Sequence, residues 1–395
     1  MKWQTKKLGE VCEIQNGFAF KSNDYSQSGL RVIRIGNVQS GIIVDKLTKF
    51  LPEKFLDKYK DFALRKGDIL VSLTGDVGRV GRISEKLLPA VLNQRVGRFI
   101  KIKNEIDNDF LFHFLNSKSF EKIVIKSAFG AAQKNTSTQK IKEIEIPLPP
   151  LPEQKRIVAI LDEVFEGIAK AKQNAEKNLK NAREVFEASL HSIFFTNNDW
   201  EQVKLNEIVS FKGGGTPSKS IKKYWDGDIP WVSPKDMKMK NIIDSRDHIS
   251  EEAIEKSATT LIPKNSLLIV VRSGVLAHSI PIGITNRDVT INQDLKALIP
   301  TSKVKADFLY YLVRASKNRL LSHVNKGATV HRLQTDFIKN LKLTLPPITE
   351  QELLISQLDS LSEQTKKLEQ IYQRKLELLE ELKQSVLQKA FAGEL

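Results

Sequence analysis

Between Ile157 and Val185 the apolar residues return at alternating intervals of four and three. They are Ile157, Leu161, Val164, Ile168, Ala171, Ala175, Ala182 and Val185, with Asn178 the one polar position in the series. A stripe sustained this long without proline predicts a coiled-coil helix rather than an ordinary surface helix. The same phase recurs 197 residues later at Leu354, Leu358, Leu361, Thr365, Leu368, Tyr372, Lys375, Leu379 and Leu382. Asn178 and Lys375 share one seam position, where a polar side chain either fixes register or simply marks an imperfect seam. Each stripe follows a Leu-Pro-Pro, at 148–150 and 345–347, whose prolines end the preceding strand. Each helix, at roughly 40 residues and 1.5 Å per residue, reaches about 60 Å.

Elsewhere the period is shorter. RVIRI (Arg31–Ile35), DILVSL (Asp68–Leu73) and SLLIVV (Ser266–Val271) are β-rich runs bounded by Gly, Pro, Asn and Asp, which predicts strands. DFLFHFLNS and DFLYYLVRAS instead predict helices with Asp109 and Asp307 near their N-termini. The expected class is mixed α/β.

The 197-residue offset is not confined to the helices. Trp3 falls on Trp200, KLGEV (Lys7–Val11) on KLNEI (Lys204–Ile208) and Gly17 on Gly214. With a slip of a residue or two, VLNQRVGRFI (Val91–Ile100) meets TINQDLKALI (Thr290–Ile299), and DFLFHFL meets DFLYYLV. LPPLPEQKRIVAILD (Leu148–Asp162) overlays LPPITEQELLISQLD (Leu345–Asp359). So many matches in order mark a tandem duplication. The expected layout is an α/β domain over 1–146, a spacer helix over 147–199, a second α/β domain over 200–343 and a second spacer helix over 344–395. For the second helix to pack along the first it must run back, so the pair is expected to be antiparallel and pseudo-two-fold symmetric.

FKGGGTPSKS (Phe211–Ser220) resembles a phosphate-cradling loop, but Pro217 and Ser218 stand just before Lys219, where a P-loop needs a glycine and a backbone donor. The equivalent stretch, IQNGFAFKSN (Ile14–Asn23), keeps one of the three glycines and has Ser22 at the lysine position. The stretch is therefore read as a turn. The 62 basic and 47 acidic residues give a net charge of +15, suited to a polyanion. No apolar run approaches the roughly 20 residues of a membrane span, and the start MKWQTKKLGEV lacks an apolar stretch of signal-peptide length. Cys12 is the only cysteine, which excludes an intrachain disulfide and a thiolate zinc cluster and fits a reducing cytoplasm. The six histidines, His113, His191, His248, His278, His323 and His331, show no metal spacing. No nucleophile elbow, dinucleotide fingerprint or Asn-Pro-Pro-aromatic tetrad occurs, so no catalysis and no metal or cofactor site is expected in this chain. Basic residues mixed with aromatics do cluster in KSIKKYW (Lys219–Trp225), with Lys222 and Lys223, in SPKDMKMK (Ser233–Lys240) and in GRVGR (Gly78–Arg82).

The two LPP-to-helix segments, RIGNV (Arg34–Val38), GGTPSK (Gly214–Lys219), the paired Asn-Gln dipeptides and the terminal LQKAFAGEL together resemble the specificity subunit of type I restriction–modification systems, over essentially the whole chain. The resemblance implies two target recognition domains, each reading one half of a bipartite double-stranded DNA site, held apart by the helices. It implies docking of two modification subunits that methylate adenine and two restriction subunits that translocate and cut. S-adenosylmethionine, ATP and magnesium would belong to those partners. A stand-alone DNA-binding regulator without a methylating partner and a non-DNA scaffold remain the alternatives.

If the two halves read different half-sites, base-reading residues lie where the copies differ, and shared residues such as Asn93–Gln94 and Asn292–Gln293 form turns or phosphate contacts. The candidates are Arg79, Arg82, Arg95, Lys134 and Asn135 in the first domain. In the second they are Lys235, Arg272, His278, His331 and Arg332, with Lys222 and Lys223 as further DNA contacts.

Overall fold

The computed structural model describes residues 3–128, 134–196 and 199–395. The chain divides into two compact units, Met1–Glu176 with Gln373–Leu395, and Lys177–Tyr372.

In the first unit a six-stranded sheet runs in the order Cys12–Asn16, Val96–Lys101, Ile69–Ser72, Val80–Arg82, Gly41–Ile43, Val38–Gln39. A smaller sheet places Leu30–Ile33 between Lys49–Leu51 and Ala90–Leu92. The strand Ile69–Ser72 is buried along its whole length, as its unbroken apolar run requires. Asp107 caps the helix Asn108–Leu115 by accepting from the N–H groups of Asp109 and Phe110, which meets two otherwise unpaired donors of the first turn. The second unit repeats this plan. Its five-stranded sheet orders Val209–Gly213, Leu295–Pro300, Leu267–Val270, Ile282–Thr285, Asn241–Ile242. A four-stranded sheet includes Ile229–Val232 and Val289–Ile291, and the helix Ala306–Ala315 takes the place of Asn108–Leu115. In each unit a short ribbon joins the segment before the domain to the strand after it: Gln4–Lys7 with Glu145–Leu148, and Glu201–Lys204 with Lys342–Leu345.

Both predicted spacer helices are present, as Leu151–Phe195 and Ile348–Ala392. In the first unit they run antiparallel. Arg156 donates to the Leu395 carbonyl at 2.7 Å, and Lys383 lies over the Phe165 ring, 5.3 Å from its centre. In the second unit Arg183 pairs with Glu369 at 3.0 Å. The seam holds at Ile157, Leu161, Ala175, Ala182, Leu358 and Thr365, which are buried, but Leu368, Val185 and Leu382 are 42%, 51% and 47% exposed. An undistorted helix drifts about 20° per heptad against a strict seven-residue repeat. By the end of the first stripe the buried face has moved one residue on, to Phe186, Leu190 and Phe194. Of the polar seam pair, Asn178 is half-buried and Lys375 exposed.

Those late residues plug the domain cores. Phe194 meets Phe308 at 5.3 Å between ring centres, and Phe391, its repeat mate, meets Phe110 at 5.2 Å and Phe114 at 5.3 Å. In the first unit Trp3 and Leu395 pack against the same core, and the indole lies 3.4 Å from where a Cβ on Gly393 would stand. A permutant that links the termini and opens the chain near Asn197 is therefore expected to fold, with an unchanged melting profile by circular dichroism; an insoluble product would refute the arrangement. Residues 197–198 lie outside the described residues.

Candidate nucleic-acid interface

Seven of the twelve candidate residues gather where the central strand of each unit ends. In the first, the Leu73 N–H donates to the Arg95 carbonyl (3.0 Å), the Thr136 N–H to the Leu73 carbonyl (2.9 Å) and the Gly75 N–H to the Lys134 carbonyl (2.8 Å). Thr74 bridges Asn135. In the second, the Val271 N–H donates to the Asp294 carbonyl and the Leu333 N–H to the Val271 carbonyl, both at 2.9 Å. Arg272 lies opposite Arg332. One backbone frame is thus built twice and carries different side chains. It unites Arg95, Lys134 and Asn135 in one copy and Arg272, His331 and Arg332 in the other. His278 joins the second group at the end of the turn Gly274–Ala277, which packs on the strand His331–Leu333.

The individual environments differ. Arg95, Lys134, Arg272, His278 and Arg332 are exposed. Arg79 is held by Asp76 at 2.9 Å and Gln39 at 3.2 Å. Arg82 is engaged by Asp109 at 2.6 Å and the Asn108 carbonyl at 3.3 Å, and lies 4.2 Å from the Phe112 ring centre, so it braces the helix Asn108–Leu115. Successive residues of a strand face opposite ways. Arg332 therefore faces outward while His331 shares the inner face with buried Leu333, and its Nδ1 is buried with no hydrogen-bond partner among the described residues. Lys222, Lys223 and Lys235 belong to other parts of the second unit. Lys223 pairs with Glu252 at 2.6 Å, Lys222 is exposed beside it, and Lys235 is exposed in the turn that the Asp236 carboxylate closes on the Ser233 N–H.

The shared residues hold this frame. Asn93 and Asn292 are 6% exposed, and each Oδ1 accepts the N–H two residues on, that of Arg95 at 3.4 Å and of Asp294 at 3.0 Å. They form turns, whereas Gln94 and Gln293 are not buried. Gly17 and Gly214 lie against the backbone entering those turns. That close approach explains the glycine that both copies keep. Gly215 similarly backs onto Ala258 and Thr259, and Trp231 donates to its carbonyl at 2.9 Å. The glycine-rich stretch packs against protein backbone.

A second shared device mounts each domain on its helix. Gln154 is fully buried: its Nε2 donates to the carbonyls of Glu105 and Pro149, both at 2.8 Å, and its Oε1 accepts the Asp107 N–H at 2.8 Å. Gln351 repeats all three bonds, to Lys303, Pro346 and Lys305. One turn or two further along, Asp162 meets His113 Nε2 at 3.0 Å, whereas Asp359 accepts from the Tyr311 hydroxyl at 2.5 Å and from Lys240 at 2.8 Å. Burial lowers the His113 pKa from its ordinary 6.5, and Asp162 only partly offsets this. Arg82 opposes the charged form and Asp109 favours it. Because the folded pKa lies below the unfolded one, the unfolded chain binds the extra proton. The neutral side chain's contribution is thus complete above about pH 6.5 and is lost as pH falls through the folded value. Corrected for the intrinsic pH dependence of exchange, protection of Asn108–Leu115 should fall between pH 7.5 and 5.5 more than that of Ala306–Ala315, and His113→Tyr should remove the difference. Equal pH responses would refute the assignment.

Among the described residues no helix is long and apolar enough to cross a membrane. The sequence matches the family described as type I restriction modification DNA specificity domain over residues 1–179 and 197–380. It is 34% identical over 244 residues to the specificity subunit of the EcoR124I/EcoR124II type I restriction enzyme of Escherichia coli, 60% of each chain. It is 38% identical over 185 residues to the MjaVIII specificity subunit of Methanocaldococcus jannaschii, 45% of this chain and 44% of that one. The matches thus span less than two thirds of either relative. A 25% identity to the Escherichia coli EcoBI specificity subunit covers 100% of this chain and 86% of the relative. Among solved structures, a chain from work on complex assembly and conformational transition of the type I R-M system superposes with a TM-score of 0.80 at 22% identity, covering 100% of this chain and 98% of that one. The HsdS subunit from Thermoanaerobacter tengcongensis gives a TM-score of 0.61 at 20% identity, covering 100% and 97%. With two matched segments that take in both repeats, the chain belongs to the type I restriction modification DNA specificity domain family.

Proposed function

We propose that this chain is the DNA-recognition subunit of a type I restriction–modification complex and reads a bipartite duplex site, one half per repeated domain. The observation that carries this is the duplicated frame at the ends of Ile69–Ser72 and Leu267–Val270. Its backbone bonds are the same, while the facing pair changes from the half-buried Thr74 and Asn135 to the exposed Arg272 and Arg332. A surface that must read two sequences needs this combination, because phosphate contacts position a protein and base contacts specify the site. The excess of basic residues supplies the sequence-independent attraction. In this reading residues 1–146 and 200–343 are the recognition domains, and the long helices set the separation of the half-sites and dock two modification subunits. Two restriction subunits complete the assembly. Adenine methylation with S-adenosylmethionine, and ATP- and magnesium-dependent translocation and cleavage, belong to those partners.

Methylated adenines are mapped in host DNA with and without this chain, and duplex affinity is measured against salt. The expected result is one split motif that disappears with the chain and an affinity that falls steeply with salt. Salt-dependent binding without any lost methylation would favour a stand-alone regulator; salt-insensitive, negligible binding would favour a non-DNA scaffold.

A further inference from the structure

The second unit carries a three-stranded sheet in which His331–Leu333 lies between Arg272–Ser273 and Val324–Asn325. Its register places Arg272, Arg332 and Asn325 directly opposite one another, in one row across the strands. Residues opposite each other in neighbouring strands share a face, with Cβ atoms about 4.5–5.5 Å apart. All three are exposed, and Leu333 of the alternate row is buried. Two arginines set opposite each other repel, and like charges in that position destabilise a sheet. Little in the fold relieves them. Asp294 stands 3.8 Å from Arg272 and is shared with the Asn292 amide, and Arg332 has no acidic partner among the described residues. The strands Val324–Asn325 and His331–Leu333 form a hairpin whose connecting residues 326–330 are all exposed. A two-stranded ribbon of this kind fits the major groove.

A row that tolerates such repulsion is built for an acceptor-rich ligand. Phosphates are the same along any duplex, and a facing pair meant to hold one would keep its cation in both copies. The first unit has the neutral Thr74 opposite Asn135 at this bridge. Guanine presents two adjacent acceptors, O6 and N7, that an arginine fork meets bidentately. We propose that Arg272 and Arg332 read guanine in the half-site of the second domain, with the Asn325 amide facing the neighbouring base. Asp294 acts as a positioning residue for Arg272. The inference rests on the DNA-recognition reading above and adds Asn325 to the contacts, while His331 serves the inner face.

The full chain, with any subunits that co-purify, is incubated with duplex oligonucleotides randomised in two windows, and the bound pool is sequenced. Arg332→Gln, Arg272→Gln and Arg332→Lys are compared with wild type after their melting profiles are checked. Arg332→Gln is expected to relax one G·C position of one half-site by about 10- to 100-fold and to leave the other half-site unchanged. Arg332→Lys keeps the charge but lacks the fork, so it should relax the same position at an unaltered salt slope. Relaxation at an A·T pair would overturn the proposal, as would no change at any position. So would uniform weakening across sequences with a salt slope smaller by about one, the mark of a phosphate contact. If wild type itself enriches no duplex, the DNA-recognition reading fails first and this inference with it.

Discussion

Gly214→Ala is expected to unfold or severely loosen the second unit. A Cβ there would stand 2.0 Å from the Ile291 carbonyl oxygen and 2.5 Å from that of Asn292. Both obstacles are backbone, one at the end of the strand Val289–Ile291, whose partners are Ile229–Val232 and Leu261–Ile262, and one in the turn that follows, so neither can swing aside as a side chain would. Relief must displace a strand or the turn that Asn292 closes. Overpacking of this kind costs about 3 kcal/mol or more, enough to lower the melting temperature of a unit this size by roughly 6–12 °C. Gly17→Ala should do the same to the first unit, where the obstacles are the Asn93 oxygen at 2.2 Å and the Leu92 oxygen at 2.4 Å. Gly167→Ala is the control. It sits inside the long helix with nothing within 4 Å of the added carbon, and should stabilise that helix by up to about 1 kcal/mol. Calorimetry and hydrogen exchange of Val289–Ile291 test the set; unchanged protection in Gly214→Ala would show that the close approach is not real.

Gln351→Ala should loosen the second domain from its helix and cost about 3 kcal/mol, because it strands the Lys303 and Pro346 carbonyls and the Lys305 N–H without partners. Gln351→Glu is the sharper test. It keeps the length and one acceptor but turns a carboxylate toward two carbonyl oxygens, so it should be worse than alanine at pH 7 and recover partly in acid as the carboxyl protonates. Helix propensity predicts no such order, since alanine and glutamate both favour helix. A Glu variant as stable as wild type at pH 7 would refute the clamp. Gln154 should respond in the same way in the first unit.

The duplication was legible in the sequence because each copy serves as a control on the other: residues that recur at the 197 offset, or within two residues of it, are those the scaffold needs. Gly17 and Gly214, Asn93 and Asn292, and Gln154 and Gln351 all recur, and all prove to be packed or fully hydrogen-bonded. The role of the glutamines was not legible, since their partners at Glu105 and Lys303 lie nearly 50 residues upstream and are backbone atoms with no side-chain signature. The seam was legible at Ile157, Leu161, Ala175, Ala182, Leu358 and Thr365 and not at Leu368, Val185 and Leu382, where a heptad template ignores the drift of a real helix. The edge proposed for recognition was only partly marked in the sequence. Arg272 and Arg332 stood out as charges that the other copy lacks, but Asn325 went unnoticed. Its strand is two residues long, too short for any periodicity, and its neighbour in space is fixed only by pairing across the hairpin. The same alternation that brings Arg332 outward turns His331 inward, which no count of basic residues could distinguish.

The aromatic plugs set an order of maturation. The second domain's core is closed by Phe186, Leu190 and Phe194, which leave the ribosome before that domain is made. The first domain's core includes Leu387 and Ala390, with Phe391 packed against it, and these are made some 260 residues after the helix Lys118–Ser127. Domains made first generally fold first. Here the earlier domain must wait for the far end of the chain to arrive, while the later one can close as it is synthesised. Until then its Phe110 and Phe114 face an open socket, the surface that a chaperone or a misplaced aromatic would find first.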